Sequence, residues 1–355
     1  MTEFLVVGRG LAASVLMHAF YQHRISFKTI GNPELSSCSA VAAGIWNPVV
    51  FKRLTKSWLA DDLVPHLNQF YSDCENLLNK KLLTQRPIIK PFTEDQEKKL
   101  WLKKAGGELN GFLDPVLQEQ IPETLQNLNI HNGFGTVNHC GNLDVREFLN
   151  ATAQAFSEHV IHDTFDHQAL QVFPDKVVYR HVEARCIIFC EGHLVSNNPF
   201  FSWIPLKPAK GEVLTIQSDE LHLHQQIFNR NGFLMDVQPG TYRVGATYEW
   251  NDLTEQPTAA GLQELSGKLR DMSPCSYSIL RHEAGIRPSS IDRRPIIGRH
   301  PVHSNLFVFN GLGTKGVMLA PFFAKKVVHF YVQNQSLHDD VNVSRFYHLY
   351  AEHKK

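Results

Sequence analysis

The chain opens on a short apolar run, Phe4-Leu5-Val6-Val7, with no polar position inside it. Such a run suits a strand covered on both faces. It passes into Gly8-Arg9-Gly10-Leu11-Ala12-Ala13-Ser14 and then an apolar helical stretch with Val15, Leu16, Ala19 and Phe20. The same order returns about 300 residues later. There, residues 306–309 are apolar, Asn310-Gly311-Leu312-Gly313-Thr314-Lys315-Gly316 is the turn, and Val317, Met318, Ala320, Phe323 and Val327 form the helix. Between these ends the pattern predicts strands at 26–30, 177–179 and 187–189 and helices over 56–81 and 257–269. Short apolar runs at 212–216, 226–228, 232–237 and 242–247 are split by turns. Two of them flank Gln238-Pro239-Gly240-Thr241, which predicts a hairpin in a mainly antiparallel second sheet. Residues 101–109 read as charged and irregular, 133–137 as a turn-rich segment, and Asp144 as the N-cap of a helix bearing Phe148 and Leu149.

Composition narrows the picture. A chain of 355 residues, 43% hydrophobic and 20% charged, has enough apolar material for two cored domains. Lys+Arg and Asp+Glu both number 35, and this balance argues against a dedicated nucleic-acid binder. The 6 cysteines form no CxxC and read as thiols of a reducing compartment. Cys186 and Cys190, on one strand, stand roughly 13 Å apart, too far for one metal or a disulfide. The 19 histidines include no HExxH; His222 and His224 are expected on one strand face, without a carboxylate partner. No metal is expected, nor is a hydrolase elbow, because GxSxG is absent. No apolar run reaches the ~18 residues of a membrane span, and no cleavable leader pattern opens the chain. The expectation is a soluble, cytoplasmic protein.

The first glycine turn has two readings. In one, Gly8 permits a tight turn, Gly10 admits a pyrophosphate to the backbone, Ala13 allows close helix packing, and the helix N-terminus faces phosphate. In the other it is a glycine-rich structural turn. The second strand ends in Gly31-Asn32-Pro33-Glu34, so Asn32 stands where a dinucleotide fold places an acidic residue for ribose. Residues 36–48 are mostly small until Trp46. They suit a loop entering a tightly packed helix, or backbone approached by a bulky planar ligand with Ser hydroxyls near phosphate or ribitol. A fold that both opens and closes the chain with strand–glycine–helix units must be interrupted between them, a topology that points to a flavin enzyme.

Residues 282–298 form the densest patch of positional restriction, centred on Gly285-Ile286-Arg287-Pro288 and Asp292, Pro295, Ile297 and Gly298. Together with Gly8-x-Gly10-x-x-Ala13, residues 40–48 and the turn 311–316, it resembles the FAD-dependent oxidoreductases of the D-amino-acid oxidase type. The sequence is most similar to glycine oxidase and to the FAD oxidase domain of the tRNA aminomethyl-uridine modifying enzyme. The resemblance implies an α/β plus α+β fold, with a Rossmann-like FAD domain (1–52, 137–204 and 281–355) and a substrate domain on a mainly antiparallel sheet (53–136 and 205–280). It implies FAD contacts from Gly8, Gly10, Leu11, Ala13, Ser14, Asn32, Ser39, Ala43, Gly44, Ile45, Phe165, Gly192, Gly311, Gly313, Thr314, Lys315 and Gly316.

The resemblance also implies a reaction. The C–N bond of an amino acid or N-substituted glycine is oxidised by hydride transfer to flavin N5, and the imine hydrolyses. Dioxygen or another acceptor takes the electrons. Arg287 inherits the grip on the substrate carboxylate, although spacing alone favours an Arg paired with Asp or Glu beside a strand. Phe233 replaces a tyrosine near the substrate. Lys315 either stabilises charge on reduced flavin or is a solvated lysine. The alternatives are a 2-hydroxy-acid dehydrogenase, an oxidase of tRNA modification, and a non-catalytic flavoprotein.

Overall fold

A computed structural model describes residues 1–34 and 37–353. Thr2–Val7 lies inside an eight-stranded sheet, parallel to Phe27–Ile30 on one side and Val182–Phe189 on the other. Both of its faces are covered. Phe4 and Val6 belong to one core and Leu5 and Val7 to another, as the alternation of side chains along a strand dictates. Val182–Phe189 has a divided outer flank. Its first part pairs antiparallel with Val177–Tyr179, whereas Ile187, Ile188 and Phe189 pair in parallel with Leu306, Phe307 and Val308. The strand Leu306–Asn310 thereby brings the second glycine turn beside the first. The helices that follow the two turns, Leu11–Gln22 and Gly316–Val332, pack against each other.

A seven-stranded sheet runs in the order Ser278–Arg287, Ala209–Gln217, Thr241–Gly245, Phe233–Gln238, Ile227–Asn229, Ile88–Pro91, Phe134–Val137. All neighbours are antiparallel except Ile227–Asn229 with Ile88–Pro91. Leu214 and Ile216 face a core shared with Leu265, Leu269 and Met272 of the helix Ala259–Met272. The alternate positions, Gly211 and Val213, face a large cavity. The fold is therefore a Rossmann-like α/β unit joined to a mainly antiparallel sheet.

Three local expectations need correction. Phe134–Val137 is the last strand of the seven-stranded sheet, not a turn; Gly135 is there because the Trp101 indole lies over it, where a Cβ would overlap the ring. Trp101 itself sits on the helix Asp95–Ala105, whose other positions are charged or exposed apart from the buried Ala105. His222 and His224 lie outside any strand, because the backbone turns left-handed at His224 (φ 46°) and Gln225 (φ 62°). Asp144 does cap its helix, accepting the Glu147 N–H at 3.0 Å. Among the described residues no helix is long and apolar enough to cross a membrane, and no group of three or more His, Cys, Asp or Glu could hold a metal ion. The cysteines are all free thiols.

Candidate active site

The first glycine turn makes one end of the cavity. Gly8 has φ +128°, and a Cβ there would run into the carbonyl of Cys190. No side chain caps the helix Leu11–Gln22 at Gly10. Instead Ser39 Oγ accepts the Leu11 N–H at 3.0 Å. The positive end of the helix therefore faces the cavity with little bulk in front of it, an arrangement suited to a phosphate. At the end of the second strand Asn32 donates from its side chain to Thr164 Oγ1 at 3.0 Å, and its Oδ1 accepts the Glu34 N–H at 2.8 Å.

The second glycine turn is tied to the same end. Asn310 donates to the Gly192 carbonyl at 2.8 Å, and its Oδ1 accepts the Gly311 N–H at 2.8 Å.

The small-residue segment forms the floor. Ser36 lies outside the described residues; Cys38–Val41 is a short helix. Three consecutive carbonyls at its end are captured by two arginines. Arg146 donates to Ala40 O at 3.0 Å, while Arg243 donates to Val41 O at 2.7 Å and Ala42 O at 3.1 Å. Glu283 joins the two guanidiniums, 2.7 Å from Arg146 and 3.4 Å from Arg243. No motif in the sequence singles out this clamp, because its members come from three separate elements.

Arg287 ends the strand Ser278–Arg287, and the next residue, Pro288, accepts the Gly313 N–H of the second glycine turn at 3.2 Å. Its guanidinium lies over Gly211, which leaves room that a Cβ would fill. The Tyr248 ring packs on it, 4.2 Å from guanidinium carbon to ring centre, a cation–π contact. Arg287 donates to Lys210 O at 3.2 Å and Thr247 O at 3.1 Å. Among the described residues no carboxylate pairs with it in an ion pair. The alternative of an Arg neutralised beside a strand thus lacks its partner. Nearby, burial pushes the Cys38 thiol up to about 11, with the Arg287 charge lowering it and the Glu255 charge raising it. Burial lowers His193, against the opposing influence of Glu255.

The cavity encloses about 1020 Å³, at the upper end of the roughly 300–1,000 Å³ of small-molecule sites. Its wall brings together Gly8, Gly10, Leu11, Asn32, Ser39, Ala43, Gly44 and Ile45 with Phe165, Gly192, Gly313, Thr314 and Gly316. Phe233 and Arg287 line it as well. Ala13 and Ser14 do not: both are buried in helix packing. Gly311 is turned toward Ile296 and Arg294, so it serves the chain reversal there. Lys315 is also absent from the wall. Its ammonium is hydrogen-bonded to Ser57 Oγ, and burial together with Arg294 lowers it to about 8. Tyr248, Glu255, Lys268 and His193 line the cavity without having been marked by any motif.

The glycine cradles, the helix N-terminus, the small-residue floor and a cavity of this volume fit a flavin dinucleotide. The profile of the DAO family, described as FAD dependent oxidoreductase, matches residues 31–329. The chain is 30% identical over 168 residues to glycine oxidase of Bacillus subtilis (strain 168), a match covering 46% of this chain and 44% of that one. It is 26% identical over 162 residues to the tRNA 5-methylaminomethyl-2-thiouridine biosynthesis bifunctional protein MnmC of Marinobacter nauticus, covering 41% of this chain and 26% of that one. The chain thus spans less than half the length of the curated relatives it matches. In structure it is similar to glycine oxidase from Geobacillus kaustophilus, with a TM-score of 0.78 over 95% of each chain at 18% identity, a likeness of fold.

Proposed function

The chain belongs to the DAO family of FAD dependent oxidoreductases, and from that premise we propose that it oxidises the C–N bond of an amino acid or N-substituted glycine to an imine, which hydrolyses. The observation that carries this reading is Arg287: a guanidinium at the wall of the same cavity as both glycine turns, stacked on Tyr248 and without a carboxylate partner. A planar guanidinium receives a carboxylate through two parallel N–H donors, which fixes the substrate's orientation as well as its position. FAD, when bound, supplies the two-electron acceptor for the hydride leaving the α-carbon, with dioxygen or another acceptor taking the electrons in turn.

This chain's residues hold and orient. Gly8, Gly10 and the N-terminus of Leu11–Gln22 would hold the pyrophosphate. The carbonyls fixed by Arg146 and Arg243 hold the floor in one shape, on which a planar ring would rest. Phe233, Ile227 and Val213 give the substrate end an apolar wall that excludes water. Positioning of this kind accounts for a large share of the rate where the cofactor does the chemistry. Arg287→Ala should leave the holoenzyme yellow and lower kcat/KM on the order of 10²–10³-fold, the loss of two charge-assisted hydrogen bonds. Steady-state kinetics and anaerobic flavin bleaching, with amino acids, N-alkyl glycines and 2-hydroxy acids as the panel, test it. An unchanged kcat/KM for the variant, or bleaching by the hydroxy acids alone, refutes the proposal.

A further inference from the structure

Glu255 is the feature of the cavity that this reading leaves unused. It lines the cavity, and its Oε1 is buried without a hydrogen-bond partner. The acidic side chains around it are all engaged. Asp252 accepts from Lys210 at 2.6 Å and from Thr254. Glu249 accepts the N–H groups of Trp250 and Asn251. Glu212 accepts from Thr258 through backbone and hydroxyl, and pairs with His282 at 2.7 Å. Those same bonds pin the chain on either side of Glu255, at Thr254 and Thr258, so the carboxylate is held in place by its flanks and not by a bond of its own. A buried acceptor left in this state is costly in the free protein, and a ligand that brings a donor removes the cost.

The same wall carries Arg287, which has no carboxylate partner among the described residues, whereas Lys268 is paired with Glu264 at 2.8 Å. Arg287 donates to the Lys210 carbonyl at 3.2 Å, and the Lys210 ammonium in turn holds Asp252 and Thr254, the residue next to Glu255, so Lys210 ties Arg287 and Glu255 to one part of the cavity wall. A cation and an anion in one pocket, with the apolar surface of Phe233 and Ile227 on the same wall, complement a ligand that carries an anion and a cation joined by a carbon chain. We propose that Glu255 binds a cationic nitrogen that the substrate carries beyond its reacting C–N bond, so that the substrate class is amino acids with a basic side chain. The inference rests on the reading that Arg287 takes the carboxylate.

The test separates the two. The yellow holoenzyme is titrated with butanoate, pentanoate and hexanoate and with their ω-amino counterparts, following the perturbation of flavin absorption, with calorimetry in parallel. At one chain length the ω-amino ligand should bind at least about tenfold tighter than its parent, as expected for one charge-assisted hydrogen bond. Glu255→Gln, which keeps shape and removes charge, should erase that preference and leave the parent carboxylate's affinity as it was. A melting curve establishes that the variant is folded. The inference is overturned if wild type shows no preference at any length, if the preference survives Glu255→Gln, or if that variant weakens both ligands equally or alters flavin binding instead. Carboxylate binding that is indifferent to Arg287→Ala overturns the underlying reading and not this one alone.

Discussion

Gly211→Ala offers a clean separation of binding from stability. Gly211 sits on the strand Ala209–Gln217 with an ordinary extended backbone, so alanine is conformationally acceptable there and should even stiffen the unfolded chain by a few tenths of a kcal/mol. What it cannot do is coexist with the present position of Arg287. The Cβ would overlap the guanidinium carbon and both terminal nitrogens. Ordinary contacts between such atoms need about 3.5–4.0 Å, so the guanidinium must withdraw by on the order of 1 Å or more. The obstructing atoms are the far end of a flexible side chain, so the fold yields cheaply. The bidentate geometry does not. Losing a hydrogen bond to a charged group costs about 1.5–3 kcal/mol, or roughly 10- to 150-fold in the affinity for a carboxylate ligand. Carboxylate titration of the holoenzyme reads this loss, and thermal melts within about 1 °C of wild type would show that the fold is intact. Wild-type affinity in Gly211→Ala would refute the argument, because it would mean that the guanidinium does not work from the place it occupies over Gly211.

Three further outcomes follow from the same geometry. Lys315 is lowered from its ordinary 10.5 to about 8; the folded protein therefore binds fewer protons than the unfolded chain between those values, stability rises with pH across that window, and the penalty is fully present below pH 8. Lys315→Met should stabilise the FAD-free protein at pH 7 by at most about 3 kcal/mol, and its advantage over wild type should shrink toward pH 10 in urea melts; an advantage independent of pH would count against it. Gly8→Ala places a Cβ against the Cys190 carbonyl at φ +128°, a strain of about 1–3 kcal/mol, and the purified variant should come off the column colourless; retained flavin with unchanged affinity would sink this assignment. Asp144→Ala removes the cap on the Glu147 N–H and should cost about 1 kcal/mol in denaturant unfolding, without altering ligand titrations.

The parts of the molecule readable from sequence are those whose cause is local. The opening strand, both glycine turns and the hairpin around Gly240 announce themselves through runs of neighbouring residues, and the structure places them at 2–7, 8–10, 311–316 and 233–245. The helix Asp95–Ala105 escaped because only Trp101 and Ala105 of its residues are buried, too few to mark a face. Glu255 and Tyr248 escaped for a different reason. They sit on an irregular loop with no period, and they reach the cavity only because Lys210 and Glu212, some 40 residues earlier in the chain, anchor that loop. Lys315 lies within a legible motif, yet the direction of its side chain is decided by Ser57, 258 residues away.

The divided flank of Val182–Phe189 bears on how the molecule comes into being. As the chain leaves the ribosome, Thr2–Val7 can find that partner once residue 189 has emerged, but Ile187, Ile188 and Phe189 keep an open edge until Leu306–Asn310 arrives. For more than a hundred residues of synthesis, an apolar strand stands with bare N–H and C=O groups, able to recruit a foreign strand. The second sheet, built from two separate stretches of chain, must meanwhile close between parts of a unit that is not yet whole. The binding cavity is therefore among the last things to exist, and interruptions of synthesis before residue 310 should yield sticky fragments and not a smaller working protein.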